Sequence, residues 1–258
     1  MHAHLILAHP EPKSFNGHLT NVAKKLLQSS GWTVTVSDLY GMHFDPCERF
    51  RYYSSPKDSS RFNVQAEQRH ASEQGSISPE IKNEIGRLDS ADLLILQYPM
   101  WWHLPPAILK GYYDRVFLYG EVYTSKKRFE AGRFNGKRAM LSVTVGTSEE
   151  TYAYNGRSGD INLILWPVNF TLAFVGYTVL EPFIAYGVES AIRYSETGEI
   201  EKRLKDIENK LENRLKNIEK SREVPFNQMA HWGEDGRIIP SAPVYSPFIR
   251  HNQKLKLE

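Results

Sequence analysis

Five short apolar runs, separated by segments of helical period, limit this chain to a small set of folds. The third run, residues 93–96 (Leu-Leu-Ile-Leu), is uniformly apolar, as in a strand that is buried on both faces. Apolar strands that alternate with helices are typical of an open parallel sheet with helices on both faces. The sequence therefore predicts a doubly wound α/β domain with five strands, at residues 4–8, 33–39, 93–96, 138–144 and 178–183.

Local signals mark where the helices between these runs begin. Ser14 precedes apolar residues at helical spacing, and residues 78–80 (Ser-Pro-Glu) give the cap, proline and acidic residue that are typical of a first helical turn. Asp160 is placed to cap another helix, and residues 108–117 have helical period after the third strand. These signals predict strand, helix and strand in repeated succession.

Two segments depart from this alternation. Residues 41–75 are polar and aromatic without a persistent period, which predicts a long irregular excursion of the kind that is usually functional. Residues 199–222 predict a charged helix with one apolar stripe, and the proline-rich segment from Pro225 predicts an extended tail that wraps over a neighbouring surface. We therefore divide the chain into a domain of residues 1–190 and a C-terminal appendage of residues 191–258.

Composition excludes several classes of protein. The formal net charge of the 258 residues is +2, and the basic residues are not gathered into a stripe, so nucleic acid is not an expected partner. No apolar run approaches the roughly 18 residues of a transmembrane helix, and the first residues have the pattern of a strand, not of a signal peptide. The single Cys47 excludes an internal disulfide and indicates a reducing compartment, so we expect a cytoplasmic protein.

Sequence motifs of several common chemistries are absent. The chain has no G-x-G-x-x-G run, no phosphate-binding loop with Gly-Lys-Ser/Thr and no G-x-S-x-G nucleophile elbow. His2 and His4 share a strand face, but nothing in the sequence gives the Cys/His spacing of a zinc site. We expect no metal.

Three loops are expected to meet at one edge of the predicted sheet, because ligands of such sheets bind outside the carboxyl ends of the strands. The first loop, residues 9–16, ends with Ser14, Phe15 and Asn16 at a helix N-terminus, where backbone N–H groups suit a phosphate; capping of the helix is the competing explanation. The second, residues 99–106, begins at Pro99 and holds an aromatic group, and the third, residues 144–152, contains Gly146, which lets backbone approach a ligand.

The aromatic loop has two possible roles. Met100, Trp101, Trp102 and His103 would form an apolar wall with hydrogen-bond donors, which suits a flat ring; alternatively, the aromatic side chains fold into the core. The neighbouring helix N-terminus and the Gly146 loop favour the first role, because phosphate site, wall and backbone donors together describe a nucleotide with a large flat head. The sequence therefore predicts a flavin site.

Three separated segments, in this order, resemble the NAD(P)H:quinone oxidoreductases of the flavodoxin-like fold, the DT-diaphorase type. They are residues 7–16 (Leu-Ala-His-Pro-Glu-Pro-Lys-Ser-Phe-Asn), 97–111 (Gln-Tyr-Pro-Met-Trp-Trp-His-Leu-Pro-Pro-Ala-Ile-Leu-Lys-Gly) and 159–167 (Gly-Asp-Ile-Asn-Leu-Ile-Leu-Trp-Pro). The resemblance implies a flavodoxin-like sheet and a homodimer with each flavin site at the subunit boundary. It also implies FAD in preference to FMN, reduced by hydride from NAD(P)H and reoxidised by a quinone in a ping-pong cycle.

Matched by position, the resemblance gives each loop a role. His9, Phe15 and Asn16 are expected to hold the diphosphate, and the wall residues are expected to line the isoalloxazine. The third loop is expected to meet its pyrimidine edge, and Tyr123 matches a family tyrosine that lies over the substrate pocket. The predicted catalytic residues are Tyr152, Gly146 and Tyr123. The predicted cofactor-binding residues are His9, Ser14, Phe15, Asn16, Pro99, Met100, Trp101, Trp102, His103, Thr144, Val145, Gly146, Thr147 and Tyr152.

Four positions depart from the mammalian enzymes of that family. Ser158 stands where they place a histidine that partners the equivalent of Tyr152, and serine cannot take up a proton at neutral pH. Trp101 and His103 replace a glutamine and a phenylalanine, and Ser125 replaces a second pocket tyrosine. The sequence leaves the acceptor, the choice between NADH and NADPH, and the group that replaces the histidine open.

Two other functions compete with the quinone oxidoreductase. One is a flavin-bearing ancillary subunit of a membrane transport system, whose main role is to bind its partner. The other is a flavodoxin-like fold that binds no cofactor. Turnover of NAD(P)H with menadione by the purified protein alone, and the colour of that protein, distinguish the three.

Overall fold

A five-stranded, fully parallel sheet organises the chain, in the order β2-β1-β3-β4-β5. The computed structural model describes residues 1–189 and 197–252. The strands are β1 (His2–Leu7), β2 (Thr33–Asp38), β3 (Leu93–Pro99), β4 (Arg138–Thr144) and β5 (Thr178–Ala185). All five predicted strands are present, and β4 has the predicted bounds, so the prediction of a doubly wound α/β fold is confirmed.

Helices cover both faces of the sheet. They are α1 (Phe15–Ser29), α2 (Val64–Gln74), α3 (Pro79–Ser90), α4 (Ala107–Val116), α5 (Ile161–Phe174) and α6 (Thr197–Lys216). Ala3 and Leu5 of β1 face a core shared with Leu19 of α1 and Leu211 of α6. Ile6 faces the opposite core, which α3, α4 and α5 complete. The three central strands, β1, β3 and β4, therefore bury both faces, which explains their apolar runs.

The predicted third strand and the predicted excursion both differ from the structure. The predicted third strand stopped before Pro99, yet β3 includes Pro99, which pairs in register with Thr144. A proline at the end of a strand removes one donor without interrupting the ladder. The excursion at residues 41–75 contains α2, which Asn63 caps by accepting from the Ala66 N–H and which ends at Gly75 with φ 67°. Its buried residues include Glu67 and Gln68, so it has no apolar stripe to reveal it.

The C-terminal segment packs on the sheet of its own chain. Helix α6 lies against α1, and it ends at Lys216, six residues before the predicted end at residue 222. The following segment runs antiparallel beside β5, where the Val224 N–H donates to the Val179 carbonyl at 2.8 Å. Farther on, Phe248 contacts Trp166 of α5, with 5.0 Å between ring centroids. The division at residue 190 stays a prediction, and residues 190–196 and 253–258 lie outside the described part of the chain.

Candidate functional site

The N-terminus of α1 opens at the carboxyl edge of β1. Ser14 caps it, with its hydroxyl accepting from the Gly17 N–H at 3.2 Å, and the backbone N–H groups of Phe15 and Asn16 lie in the first turn, where helices have no internal acceptors. A Cβ at Gly17 would lie 2.1 Å from the Pro12 carbonyl oxygen, so the missing side chain lets the preceding loop fold closely over this turn. The resulting helix mouth suits an anion.

A buried network of neutral side chains holds the three predicted loops together. Asn16 is 3% exposed; its Oδ1 accepts from Gln97 Nε2 at 2.8 Å, and its Nδ2 donates to Thr144 Oγ1 at 3.0 Å. These residues belong to α1, β3 and β4, and we call them the edge network. The predicted convergence of the loops therefore exists. Both polar atoms of the Asn16 side chain are hydrogen-bonded below the site. Asn16 could therefore contact a ligand only through its backbone N–H.

The aromatic loop is a tight two-residue hairpin. Trp101 and Leu104 exchange both backbone hydrogen bonds at 3.0 Å, and the two residues between them have positive φ, 52° at Trp102 and 62° at His103. This is the backbone of a type I′ turn, which glycine and asparagine normally occupy. Bulky side chains in the left-handed region carry strain of about 1–2 kcal/mol each. The hairpin therefore holds its aromatic side chains at an energetic cost.

These aromatic side chains lie outside the core. Trp102 is 93% exposed and Trp101 is 42% exposed, whereas Pro99 is buried and Met100 packs partly against the core. The Met100 N–H donates to the Thr144 carbonyl at 2.9 Å, which fixes the base of the hairpin on β4. The alternative that this loop folds into the core is therefore wrong for Trp102.

Histidine 9 approaches the hairpin from the first loop. Its ring centroid lies 6.1 Å from that of Trp101. Nδ1 lies 3.0 Å from the Glu11 backbone nitrogen and 3.1 Å from the Glu11 carbonyl oxygen. The Glu11 backbone therefore engages Nδ1, which leaves Nε2 for a ligand beside the helix mouth.

The loop after β4 is fixed by the chain that follows β5. The Val188 N–H donates to the Val145 carbonyl and the Gly187 N–H donates to the Thr147 carbonyl, both at 2.9 Å. Within the described residues, the buried Thr147 Oγ1 has no hydrogen-bond partner. A Cβ at Gly146 would meet no described atom closer than 3.7 Å, so contacts within the protein do not require glycine there. Both features fit the edge of a ligand that approaches this loop.

Tyr152 lies on the far side of the same loop. It ends the 3₁₀ turn Glu149–Tyr152, is half-buried, and its ring lies 6.4 Å from that of Tyr186. Burial, with the nearby Glu149 and Asp160 carboxylates, raises the pKa of Tyr186 to about 12. The Ser158 N–H donates to the Thr151 carbonyl at 3.0 Å, which closes the loop behind Tyr152.

An aromatic groove of about 610 Å³ continues from the hairpin. This aromatic groove starts at Leu104 and Pro105, passes the half-buried Tyr123 and reaches Phe174 of α5. The rings of Tyr123 and Phe174 meet edge to face, with centroids 5.5 Å apart, and the Tyr123 hydroxyl accepts from Gln65 Nε2 at 3.3 Å. Tyr123 therefore lines the groove next to the hairpin.

Sequence reasoning missed Gln97 and Gly17. Gln97 is 2% exposed, and its signal was available, since it is a polar residue in the otherwise apolar run of β3. Gly17 gave no signal in the sequence, because a side chain is excluded there only by the Pro12 carbonyl, which the loop folds against it. The predicted residues lie on the three loops that the edge network joins, except Tyr123, which lines the aromatic groove, and their ligand contacts stay predictions.

The described residues show neither a metal site nor a membrane span. In residues 1–189 and 197–252, no three His, Cys, Asp or Glu side chains group as metal ligands. His2 contacts Thr33 and Thr35 through its ring nitrogens, and His4 contacts Thr35, so both are engaged within the sheet. No helix in the same ranges combines the length and hydropathy needed to cross a bilayer.

Comparison with known proteins gives a consistent set of relatives. A family model described as flavodoxin-like fold matches residues 1–211. NAD(P)H dehydrogenase [quinone] 1 of Cavia porcellus is 45% identical over 186 residues, which are 71% of this chain and 68% of that protein. Human ribosyldihydronicotinamide dehydrogenase [quinone] is 41% identical over 189 residues, 72% of this chain and 82% of that one.

A solved structure from Klebsiella pneumoniae, described as a candidate quinone reductase, superposes on the chain with a TM-score of 0.81. It is 35% identical, and the match covers 93% of this chain and 92% of that one. Because the match covers nearly all of both chains, it extends past the flavodoxin-like sheet into the C-terminal segment.

Proposed function

The chain belongs to the flavodoxin-like-fold family, and from this premise we propose that it is a flavin-dependent NAD(P)H:quinone oxidoreductase. Relatives at 40–45% identity carry the names of quinone dehydrogenases, which supports an oxidoreductase that acts on a quinone or a similar small aromatic acceptor. The finer parts of the proposal are FAD as the resident cofactor, NAD(P)H as the co-substrate and a homodimeric, cytoplasmic enzyme.

One observation carries this proposal: the edge network joins a helix mouth, an exposed aromatic hairpin and the Gly146 loop at a single edge of the sheet. No contact of the described protein accounts for the strained Trp102 turn or for the unpartnered Thr147 hydroxyl. A flat, polar-edged ring beside the hairpin would account for both. The residues present therefore fit a flavin.

Each loop has a separate task in holding FAD. The helix mouth of α1, with the N–H groups of Phe15 and Asn16 and with His9 Nε2, would bind the diphosphate oxygens. Met100, Trp101, Trp102 and His103 would stack against or border the isoalloxazine and exclude water from it. FAD, when bound, would supply the two-electron redox chemistry of a ping-pong cycle in which NAD(P)H and the quinone react in turn.

The hydroxyl groups near the Gly146 loop would control charge at the edge of the ring. Thr147 Oγ1, which has no partner in the described residues, and the Tyr152 hydroxyl would donate hydrogen bonds that stabilise negative charge on a neighbouring carbonyl or ring nitrogen. Ser158 cannot bind a proton at neutral pH, so this chain would stabilise that charge by hydrogen bonds, without a histidine. Tyr123 would orient the acceptor from the aromatic groove.

A second copy of the chain is the proposed cover of the hairpin. Trp102 and Leu104 are 93% and 58% exposed, beside a groove lined by Tyr123 and Phe174. Apolar side chains exposed together in this way are typical of an interface. A homodimer with each flavin site at the subunit boundary would bury them. The single free Cys47 supports a reducing, cytoplasmic setting.

Purified protein tests the proposal in two steps. The absorbance spectrum as isolated, with mass analysis of the released cofactor, should show a flavin and identify it as FAD. Oxidation of NAD(P)H with menadione should then proceed with this protein alone. Bound flavin without turnover would favour an ancillary transport subunit, which the names of the relatives described above do not support. Colourless protein that takes up neither FAD nor FMN would refute the flavin site.

A further inference from the structure

A tight basic turn follows Tyr123. The Thr124 N–H donates to the Lys127 carbonyl at 3.2 Å, and Thr124 Oγ1 accepts from the N–H groups of Lys126 and Lys127 at 3.2 and 3.0 Å. Thr124 therefore provides the hydrogen bonds that hold the turn together, and the side chains of Lys126 and Lys127 are exposed. We call Lys126, Lys127 and Arg128 the basic turn.

The charges of the basic turn are not neutralised by the described part of the chain. Within residues 1–189 and 197–252, none of its three cations makes an ion pair or a side-chain hydrogen bond, and the buried Nε of Arg128 has no partner there. The two nearest carboxylates in sequence are engaged elsewhere. Glu121 pairs with Arg133 at 2.8 Å, and Glu130 accepts from the Met229 N–H at 2.9 and 3.0 Å.

Aromatic contacts fix the basic turn beside the aromatic groove. Tyr123 precedes it and Phe129 follows it, and both rings meet Phe174 edge to face, at centroid distances of 5.5 and 5.3 Å. Phe129 has φ 52°, so the chain adopts a strained conformation to return to Phe174. Tyr123 and Phe174 both line the groove that starts at Leu104 and Pro105, so the basic turn, with its three unpaired cations, lies beside that groove.

We propose that the basic turn binds the 2′-phosphate of NADPH and makes NADPH the preferred co-substrate over NADH. This inference rests on the proposed function, because it assumes that a nicotinamide nucleotide lies with its ring at the hairpin. A phosphate monoester carries about −1.5 to −2 at pH 7, more than either phosphate of the diphosphate bridge. Lysine and arginine recognise such a group through charge-assisted hydrogen bonds. The adenosine end of the nucleotide then occupies the far end of the groove.

Binding of nucleotide fragments tests the site without hydride transfer. Adenosine 2′,5′-bisphosphate carries the 2′-phosphate and no nicotinamide, and 5′-AMP lacks both. Titration calorimetry of the protein as purified should give tighter binding of the bisphosphate. The double variant Lys126→Gln, Lys127→Gln should lower the affinity for the bisphosphate about tenfold and leave the affinity for 5′-AMP unchanged. Added salt should reduce the same difference, because the contact is ionic.

The matched control is Lys24→Gln, Lys25→Gln, an adjacent lysine pair on α1, which covers the other face of the sheet. It removes the same charge and should leave both affinities unchanged. Equal loss of bisphosphate binding in the two double variants would refute a local site and indicate a general charge effect. Equal wild-type affinity for the two fragments would also refute the proposal.

Steady-state kinetics give the second readout. The basic-turn variant should lose about tenfold in kcat/KM with NADPH and keep its value with NADH. Equal losses with both nucleotides would place the contact on the diphosphate and overturn the proposal. If no variant oxidises either nucleotide, the proposed function fails, while the fragment titrations still decide whether the basic turn recognises a 2′-phosphate. Unchanged melting temperatures would confirm that the exposed substitutions leave the fold intact.

Discussion

Two buried polar networks lie within the same apolar sheet, and they differ in charge. The edge network joins Asn16, Gln97 and Thr144 at the carboxyl ends of the strands, and all its members are neutral. The other, which we call the inner network, lies between β1, β2, α3 and α4 and is built on the carboxyl of Glu84, which is 1% exposed. We expect the two networks to have different roles.

Glu84 is the acceptor on which the inner network depends. Its carboxylate accepts from Ser37 Oγ and Arg87 at 2.7 Å and from the Tyr112 hydroxyl at 3.2 Å. His4, fully buried, lies 3.3 Å from Ser37 Oγ and 4.0 Å from Glu84. Burial, with smaller contributions from Arg87 and His2, lowers the pKa of His4 to about 3, so the ring is neutral at pH 7.

The difference indicates a division of labour. The inner network joins two strands to two helices through a charge, so its loss should lower the stability of the whole domain. The edge network joins the three loops of the candidate site through amides and a hydroxyl, so its loss should affect ligand binding more than stability. Beside the proposed flavin, a neutral network would also add no charge of its own that alters the redox properties of the site. The following substitutions test this contrast.

Replacement of Glu84 by alanine should have the largest effect on stability. It removes the carboxylate that accepts from Ser37, Tyr112 and Arg87. Arg87 still donates to Ser37 Oγ at 2.8 Å, and we expect the free energy of unfolding to fall by about 3 kcal/mol. Urea unfolding of flavin-free protein measures this. Glu73→Ala removes an exposed carboxylate that pairs with Arg69, and it should change stability by less than about 0.5 kcal/mol. Similar values for the two variants would refute the role of the inner network.

The pH dependence of stability should trace to His4. Its folded-state pKa of about 3 lies below the ordinary 6.5, so the unfolded chain binds more protons between these values and stability rises with pH in that window. We expect the wild type to lose about 2 kcal/mol through this residue between pH 7 and pH 5. His4→Gln should remove this loss, whereas His70→Gln should retain it. Unfolding curves at both pH values decide, and an unchanged slope in His4→Gln would contradict the assignment.

Replacement of Asn16 by alanine should separate binding from stability. Gln97 and Thr144 lose their partner, which we expect to cost about 1.5 kcal/mol of stability. Flavin affinity should fall at least about tenfold, because all three loops are released together. Asn162→Ala, at an exposed position of α5, is the control. The contrast between the networks fails if Glu84→Ala weakens flavin binding as much as Asn16→Ala does at matched stability.

Trp102→Gly should have the smallest effect on stability and a large effect on binding. The side chain is 93% exposed and φ is 52°, so glycine removes little packing and relieves strain of about 1 kcal/mol. Flavin-free protein should unfold at an equal or higher urea concentration than the wild type, while flavin titration should show weaker binding. Reduced stability with unchanged affinity would show that the hairpin serves the fold and not a ligand.

Sequence reasoning recovered the fold because the sheet is buried on both sides. Buried parallel strands must be apolar at nearly every position, so runs such as residues 93–96 identify themselves. Helix α2 was missed for the opposite reason. Glu67 accepts from the N–H groups of Lys57 and Asp58, so the buried face of this helix is polar. A polar buried face leaves no apolar stripe in the sequence.

The sequence predicts at which edge of the sheet the candidate site lies, but not the side-chain hydrogen bonds that hold it together. Topology alone brings the loops after β1, β3 and β4 to one edge. The pairing of Asn16 with Thr144 spans 128 positions, and no local pattern encodes it. Likewise, His2 and His4 suggested only a shared strand face, whereas the partners of His4 lie on β2 and α3. Long-range hydrogen bonds between polar side chains are the part that a single sequence does not reveal.

The Trp102–His103 turn allows the residue preferences of folding and of ligand binding to be measured separately. A library randomised at these two positions and sorted only for yield of folded protein should enrich Asn-Gly and Gly-Gly, the pairs that a two-residue turn with positive φ accommodates best. The same library sorted for retained flavin should keep aromatic residues at position 102. The two winning populations would then separate, position by position, what the backbone prefers from what the ligand requires.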